Sequence, residues 1–252
     1  MKQRELVFTR ITKRAKVLFC MVFLCNWLNA QQHNKEILFE NVSVFDGKNE
    51  LILTNQHVLI SGNKIALISK TALPKNDNMI VIDGKGKTLI PGLIDVHVHM
   101  IFGALSMKDM MDPNLKPENL LMKVVPEAQK MLLRGFTSVR DVGGPSFQLK
   151  QSIDDGTIQG PRIWPSGAMI SQTSGHGDLR LPEERSRRFF GPISKAENFG
   201  ASFIADGTAE VLTAVRENLR FGASQIKLMA GGGTSSAYDP VDVTQYTLEE
   251  MK

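Results

Sequence analysis

Short runs of alternating apolar and polar residues fill the chain from Glu36 to Ile90. The segments ILFENVSVFDG, HVLISGNKIALIS and MIVIDGKGKTLI each have the period-two pattern of a β-strand or a hairpin. Asp-Gly and Ser-Gly-Asn sequences between the apolar runs supply turn residues. The pattern therefore predicts a small β unit over residues 34–90.

Beyond His99 the pattern changes to strands that alternate with helices. Helical spacing covers residues 119–133, 147–153 and 208–219, and β-rich runs cover residues 136–142, 162–170 and 224–230. Pro165 weakens the C-terminal half of the 162–170 run as a strand. Repeated βα units predict an α/β protein with a parallel sheet.

The run PGLIDVHVHM, from Pro91 to Met100, joins a Pro-Gly turn to a short apolar strand. His97 and His99 are two residues apart, so strand alternation places both on one face, together with Asp95. Two imidazoles directed into one space suit Zn²⁺ or a similar ion. Spacing alone leaves an alternative, a pair of half-buried histidines satisfied by backbone carbonyls. Asp95 is expected to support the strand or orient the ligands rather than bind metal.

This run also resembles the P-G-[LI]-I-D-x-H-x-H motif of the amidohydrolase superfamily. The segments GFTSVRDVGG, GPRIWPSGAMIS, GHGD and IKLMAGGG resemble its imidazolonepropionase-like branch, which is related to prolidase and to Xaa-Arg and Xaa-Lys dipeptidases. The resemblance implies a small β-sandwich segment over residues 34–90. It also implies an incomplete TIM-like (β/α) barrel of about four βα units over residues 91–252.

The same resemblance implies a metal-dependent hydrolase of amide bonds. One or two divalent ions, Zn²⁺ in the first place, would polarise the scissile carbonyl. Dipeptides or N-acyl amino acids are the small-molecule substrates expected for this branch. A homo-oligomer is left open.

Further candidate residues follow from the later motifs. In the branch that this chain resembles, the lysine matching Lys227 is carboxylated and bridges two metal ions; a solvent-directed edge lysine is the alternative. His176, in the SGHGD run after the third strand, is expected either to contact substrate or to be a solvated loop histidine. Tyr238 is a candidate donor to the scissile carbonyl. Arg140 and Asp141 end the second strand, and an ion pair between them is expected.

The first thirty residues predict a secretory signal peptide. Basic residues precede an apolar stretch over 17–28, and Ala30 suits cleavage at its carboxyl side. The stretch is too short to span a bilayer comfortably, so we expect export without a stable membrane anchor. Both cysteines, Cys20 and Cys25, lie in this stretch, so the mature chain needs no disulfide.

Net charge argues against a nucleic-acid partner. The first thirty residues carry six basic residues and one acidic residue, a net +5, whereas the whole chain carries +4, which leaves −1 for the remainder.

The end of the chain bears on the fold and on activity. Residues 247–250 form a capping-box pattern, which opens a helix close to the last residue, Lys252. A full barrel has eight strands. We therefore expect a fragment without the two histidines and the aspartate that the family takes from later strands. The alternatives to an enzyme are a catalytically inactive truncated product and a metal-retaining binding module.

Overall fold

The computed structural model describes residues 36–112, 115, 117–234 and 239–252. The predicted signal peptide and Tyr238 lie outside the described residues. The chain divides into two compact units, one ending at Pro91 and the other covering Gly92–Lys252. Within the part that is described, no helix combines the length and the apolar character that crossing a membrane requires.

The first unit is one mixed β-sheet, formed where the alternating pattern predicts strands. Its five strands are β1 (Glu36–Val44), β2 (Leu53–Ser61), β3 (Lys64–Ser69), β4 (Met79–Asp83) and β5 (Thr88–Leu89). The central strand β1 pairs antiparallel with β2 and parallel with β4 and β5, and β3 continues the sheet beyond β2. The described strands of this unit belong to one hydrogen-bonded sheet, and the β-sandwich stays a prediction.

The second unit has a three-stranded parallel sheet in the order β6-β7-β8. These strands are β6 (Leu93–Val98), β7 (Phe136–Asp141) and β8 (Arg162–Pro165). A second parallel pair joins β9 (Met169–Ser171) to β10 (Ser202–Ile204). β10 is only three residues long and was not among the predicted strands.

Helices alternate with these strands, as the periodicity predicts. They are α1 (Met107–Met111), α2 (Pro117–Leu133), α3 (Phe147–Asp154), α4 (Lys195–Phe199), α5 (Thr208–Arg220) and α6 (Leu248–Met251). A core cluster with Val124, Val139, Leu149 and Ile163 packs α2 and α3 against the three-stranded sheet. At α6 the expected capping box is present, with the Thr247 hydroxyl accepting from the Glu250 amide.

The predicted 162–170 strand is broken into β8 and β9 by a bend at residues 166–168. Pro165 lacks an N–H for a ladder, and Gly167 has a φ of +73°, which favours glycine. A Cβ at Gly167 would lie 2.4 Å from Oδ1 of Asn218. The predicted 224–230 strand is correspondingly reduced to a single parallel bridge between Ile170 and Leu228.

The side chain of Asn218 in α5 stabilises this bend through two hydrogen bonds to the backbone, of the kind that a neighbouring strand would otherwise form. Its Nδ2 donates to the Ala168 carbonyl at 2.9 Å, and its Oδ1 accepts from the Ala168 amide at 3.0 Å. The asparagine is 1% exposed, so water does not compete for these bonds. One side chain therefore satisfies both backbone polar groups of the buried residue Ala168.

Asp141, at the end of β7, is a fully buried carboxyl group. It accepts hydrogen bonds from the Ser146 hydroxyl and from the Met100 amide, the latter at 3.0 Å. Burial outweighs these bonds and raises the pKa of Asp141 to about 6. The folded protein thus favours the protonated acid more strongly than the unfolded chain does.

We expect Asn218→Ala to lower the free energy of unfolding by about 3 kcal/mol, because both polar groups of Ala168 lose their partner while buried. Arg216→Ala, at an exposed position of the same helix, should change it by less than about 0.5 kcal/mol. Urea unfolding followed by circular dichroism measures both. Equal stability of the two variants would contradict the role given to Asn218.

The raised pKa of Asp141 predicts a pH-dependent loss of stability. Since the folded state binds more protons than the unfolded state between about pH 4 and pH 6, stability falls as pH rises through this window. From pH 4 to pH 7, the free energy of unfolding of the wild type should fall by about 2 kcal/mol relative to that of Asp141→Asn. Denaturant titrations at four pH values measure the difference.

Asp155 provides a control of opposite sign for this experiment. Hydrogen bonds from Thr157 lower the pKa of this exposed carboxyl. Its contribution to stability is therefore present above the unfolded pKa and is lost as pH falls below about 4, so titrations extended to lower pH should show the opposite trend in the comparison with Asp155→Asn. A pH profile shared by Asp141→Asn and the wild type would exclude a raised pKa at Asp141.

Candidate metal centre

A β-bulge shapes the strand that carries the two histidines. In β6, Asp95 pairs with Val139 and Val98 pairs with Asp141, so Val96 and His97 together stand opposite Arg140 alone. The simple alternation that put Asp95 on the face of the histidines is therefore interrupted at this point. Asp95 instead accepts from the His97 amide at 3.1 Å, which supports the strand locally.

His97 and His99 are brought together at the carboxyl end of β6. Their ring centroids are 5.6 Å apart, with the planes inclined at 69°. His97 is exposed, whereas His99, one residue beyond the end of the strand, is partly buried and lies 6.0 Å from the Phe102 ring. The two imidazoles share one region of space, as the spacing predicts.

The environment of His99 favours a neutral ring. Burial lowers its pKa, and the nearby charges of His97 and Lys227 lower it further, against an opposing effect of the Gly143 backbone. A neutral imidazole is the form that binds a metal ion. Nδ1 of His99 is buried and makes no hydrogen bond to any residue that the structure describes. A Cβ at Gly143 would lie 3.3 Å from this atom, so glycine permits the close approach.

Lys227 lies on the segment that runs beside β9. The Ile170 amide donates to the Lys227 carbonyl, and the Met229 amide donates to the Ile170 carbonyl, both at 2.9 Å. Two hydrogen bonds of parallel type thus fix the backbone around Lys227, although no regular strand forms. Lys227 is half-buried and close enough to His99 to affect the pKa of that histidine.

His176 is held in a polar network and is not a freely solvated loop residue. Its Nδ1 lies 3.3 Å from Oδ2 of Asp239, a carboxylate whose side chain is 1% exposed. The His176 amide donates to Gln245 at 2.9 Å, and the Gln245 amide group donates to Asp239 at 3.1 Å. A Cβ at Gly233 would lie 2.1 Å from Cε1 of His176, so the ring packs directly on this glycine backbone.

Sequence reasoning did not find Asp239, Gln245 or the role of Gly233. His176 and Gln245 are separated by 69 positions in the chain, and nothing in a single sequence couples them. The three glycines at 231–233 are evident in the sequence, but only the folded chain shows that Gly233 packs against the His176 ring.

The expected ion pair between Arg140 and Asp141 is wrong. Neighbouring strand residues point to opposite faces. Arg140 is exposed and its Nε donates to the Val96 carbonyl at 2.7 Å, whereas Asp141 is buried with Ser146 and the Met100 amide.

These residues fit a divalent metal ion by their donor chemistry. A neutral histidine with an unpaired buried nitrogen stands beside a second imidazole, and a lysine lies within electrostatic reach. No three His, Cys, Asp or Glu side chains in the described ranges cluster closely enough to hold a metal. Lys227, for which the resemblance implies a carboxylated side chain, stays a predicted ligand beside the two histidines.

The chain is similar to several known proteins. It is 34% identical to an ochratoxinase from Aspergillus niger over 79% of this chain and 43% of that protein. A prolidase crystallised with N-methylphosphonate-L-proline superposes with a TM-score of 0.75 and 37% identity, over 86% of this chain and 52% of the prolidase. A Xaa-Pro dipeptidase with methionine bound in its active site superposes with a TM-score of 0.70 and 30% identity. This superposition covers 86% of this chain and 52% of the dipeptidase.

The chain thus spans about half the length of these relatives. Residues 88–252 match the amidohydrolase family, and this stretch holds His97, His99, His176 and Lys227. The mixed α/β structure with parallel strands agrees with that match. By sequence and by structure, the chain belongs to the amidohydrolase family.

Proposed function

We propose that this chain supplies half of the active site of a metal-dependent hydrolase of amide bonds. The observation that carries the proposal is the paired approach of His97 and His99 at the carboxyl end of β6, beside the charge of Lys227. Active sites of barrel enzymes form at this end of the strands. The activity belongs to a form of the protein that has the full length of its relatives, with residues 34–90 in a β-sandwich and residues 91–252 in the first half of the barrel.

We expect the complete site to hold one or two divalent ions, with Zn²⁺ as the first candidate. His97 and His99 would bind one of them through neutral imidazole nitrogens. Lys227 would bridge the ions after its neutral amine takes up CO₂ as a carbamate and releases a proton. When bound, the metal supplies Lewis-acid polarisation of the scissile carbonyl. Before a metal binds, burial and the nearby charges of His97 and Lys227 lower the pKa of His99, so the ring is available as a neutral ligand.

His176 would contact the substrate. Asp239 and Gln245 fix its ring and backbone, so the residue is oriented before a substrate arrives. The relatives that carry a proline analogue or methionine suggest dipeptides or N-acyl amino acids as the substrate class. Tyr238 is kept as a candidate donor to the scissile carbonyl.

The proposal predicts that hydrolysis depends on His99 and Lys227. In the full-length form with added Zn²⁺, His99→Ala and Lys227→Ala should each lower turnover of a dipeptide panel by more than about 100-fold, because each removes a metal ligand. The matched control is His57→Ala, a histidine of the β-sheet unit outside the proposed site. An amine-release assay measures turnover.

The 252-residue chain alone should hydrolyse none of these dipeptides, since two imidazoles and one lysine are too few ligands for a catalytic site of this family. Turnover by this chain that is lost on His99→Ala would overturn that expectation. Unchanged turnover in the full-length His99→Ala and Lys227→Ala variants would overturn the proposed function itself.

Export is a separate proposal, based on residues 1–30. Secretion by a native-like host should yield a mature chain that begins at Gln31, because Ala30 provides the small residue that signal peptidase requires. N-terminal sequencing of the secreted protein checks this. A secreted chain that still begins at Met1 would refute it.

A further inference from the structure

We infer that Arg140 and Asp141 are positioning residues that hold the backbone on both sides of the His97–His99 pair. The inference deepens the proposed function, because it states what orients the two proposed ligands. It rests on two backbone contacts, one before His97 and one after His99.

The first contact is at the β-bulge. A bulge leaves one residue of the strand outside the regular ladder, so its polar groups need other partners. Arg140 stands opposite the two bulged residues, and its Nε donates to the Val96 carbonyl at 2.7 Å. The guanidinium therefore stabilises the irregular backbone directly before His97, at the point where the direction of the side chains is reset.

The second contact is at the turn after His99. The Met100 amide donates to Oδ1 of Asp141 at 3.0 Å, and the Ser146 hydroxyl donates to Oδ2 of the same carboxyl group. Asp141 is fully buried, so the bond is not shared with water. A nearby ladder bond, from the Val142 amide to the Val98 carbonyl at 2.9 Å, keeps the two strands together here.

Both contacts come from neighbouring residues of one strand, which necessarily face opposite sides of the sheet. Arg140 acts from the exposed side and Asp141 from the core side. The three residues from His97 to His99 are thereby held between two fixed backbone points, Val96 and Met100. A rotation of either histidine backbone would break one of the two bonds.

The test measures the approach of the two rings in the 252-residue chain without metal. The chain has five histidines, so their ring resonances can be assigned by substitution. At a centroid separation of 5.6 Å, with the rings inclined, His97 and His99 should show a nuclear Overhauser effect between ring protons. Arg140→Ala should abolish this effect, and Arg140→Lys should retain it, because an ammonium group can still donate to the Val96 carbonyl.

Asp141 is tested in the same way. Asp141→Asn keeps an acceptor for the Met100 amide and should retain the ring contact, whereas Asp141→Leu should lose it. Val211→Ala is the stability control, because Val211 is buried in the separate cluster beneath α5. It should destabilise the chain and leave the ring contact intact.

Loss of the ring contact in Arg140→Ala, with retention in Arg140→Lys and Val211→Ala, supports the inference. A contact that persists in Arg140→Ala, or that is missing in the wild type, overturns it. In the full-length form, Arg140→Ala should lower kcat about tenfold with little change in KM. If that form hydrolyses nothing while the ring contacts behave as expected, the proposed function fails and the positioning role stands.

Discussion

The parallel pairing of β6 with β7 is the contact on which the rest of the site depends. It places the end of the histidine-bearing strand beside Arg140 and Asp141, and its one-residue irregularity determines how His97 is presented. Parallel strands carry their carboxyl ends to one edge, so β8 and the loops that follow it are brought toward the same edge. The backbone hydrogen bonds between these strands therefore determine where the side chains of the proposed site are placed.

Most helices and strands could be predicted from local sequence patterns. The period-two runs gave the strands of the first unit, and helical spacing gave α2, α3 and α5 to within about two residues. The approach of His97 and His99 was also predictable, because residues only two positions apart need no knowledge of distant contacts. The family match agrees with the motifs in which these residues occur.

Features that depend on distant contacts were not predictable. Asn218 and Ala168 are 50 positions apart, and a buried asparagine in an amphipathic helix gives no sign that it will complete a backbone bend. The contact of Asp239 with His176 was not predictable either, because these two residues are also far apart in the sequence. Arg140 and Asp141 were misjudged because adjacent opposite charges suggest an ion pair, whereas a strand directs them to opposite faces.

The bend at residues 166–168 separates the part of the site that carries the histidine pair from the part that carries Lys227. β8 extends the sheet of His97, whereas β9 runs beside the lysine segment. Between them, Asn218 forms hydrogen bonds with both the amide and the carbonyl of Ala168. The backbone between the histidine-bearing sheet and the lysine segment is consequently tied to Asn218, a helix residue that belongs to neither of them. Substitutions along α5 would therefore act on the placement of the proposed metal-binding residues while leaving those residues themselves unchanged.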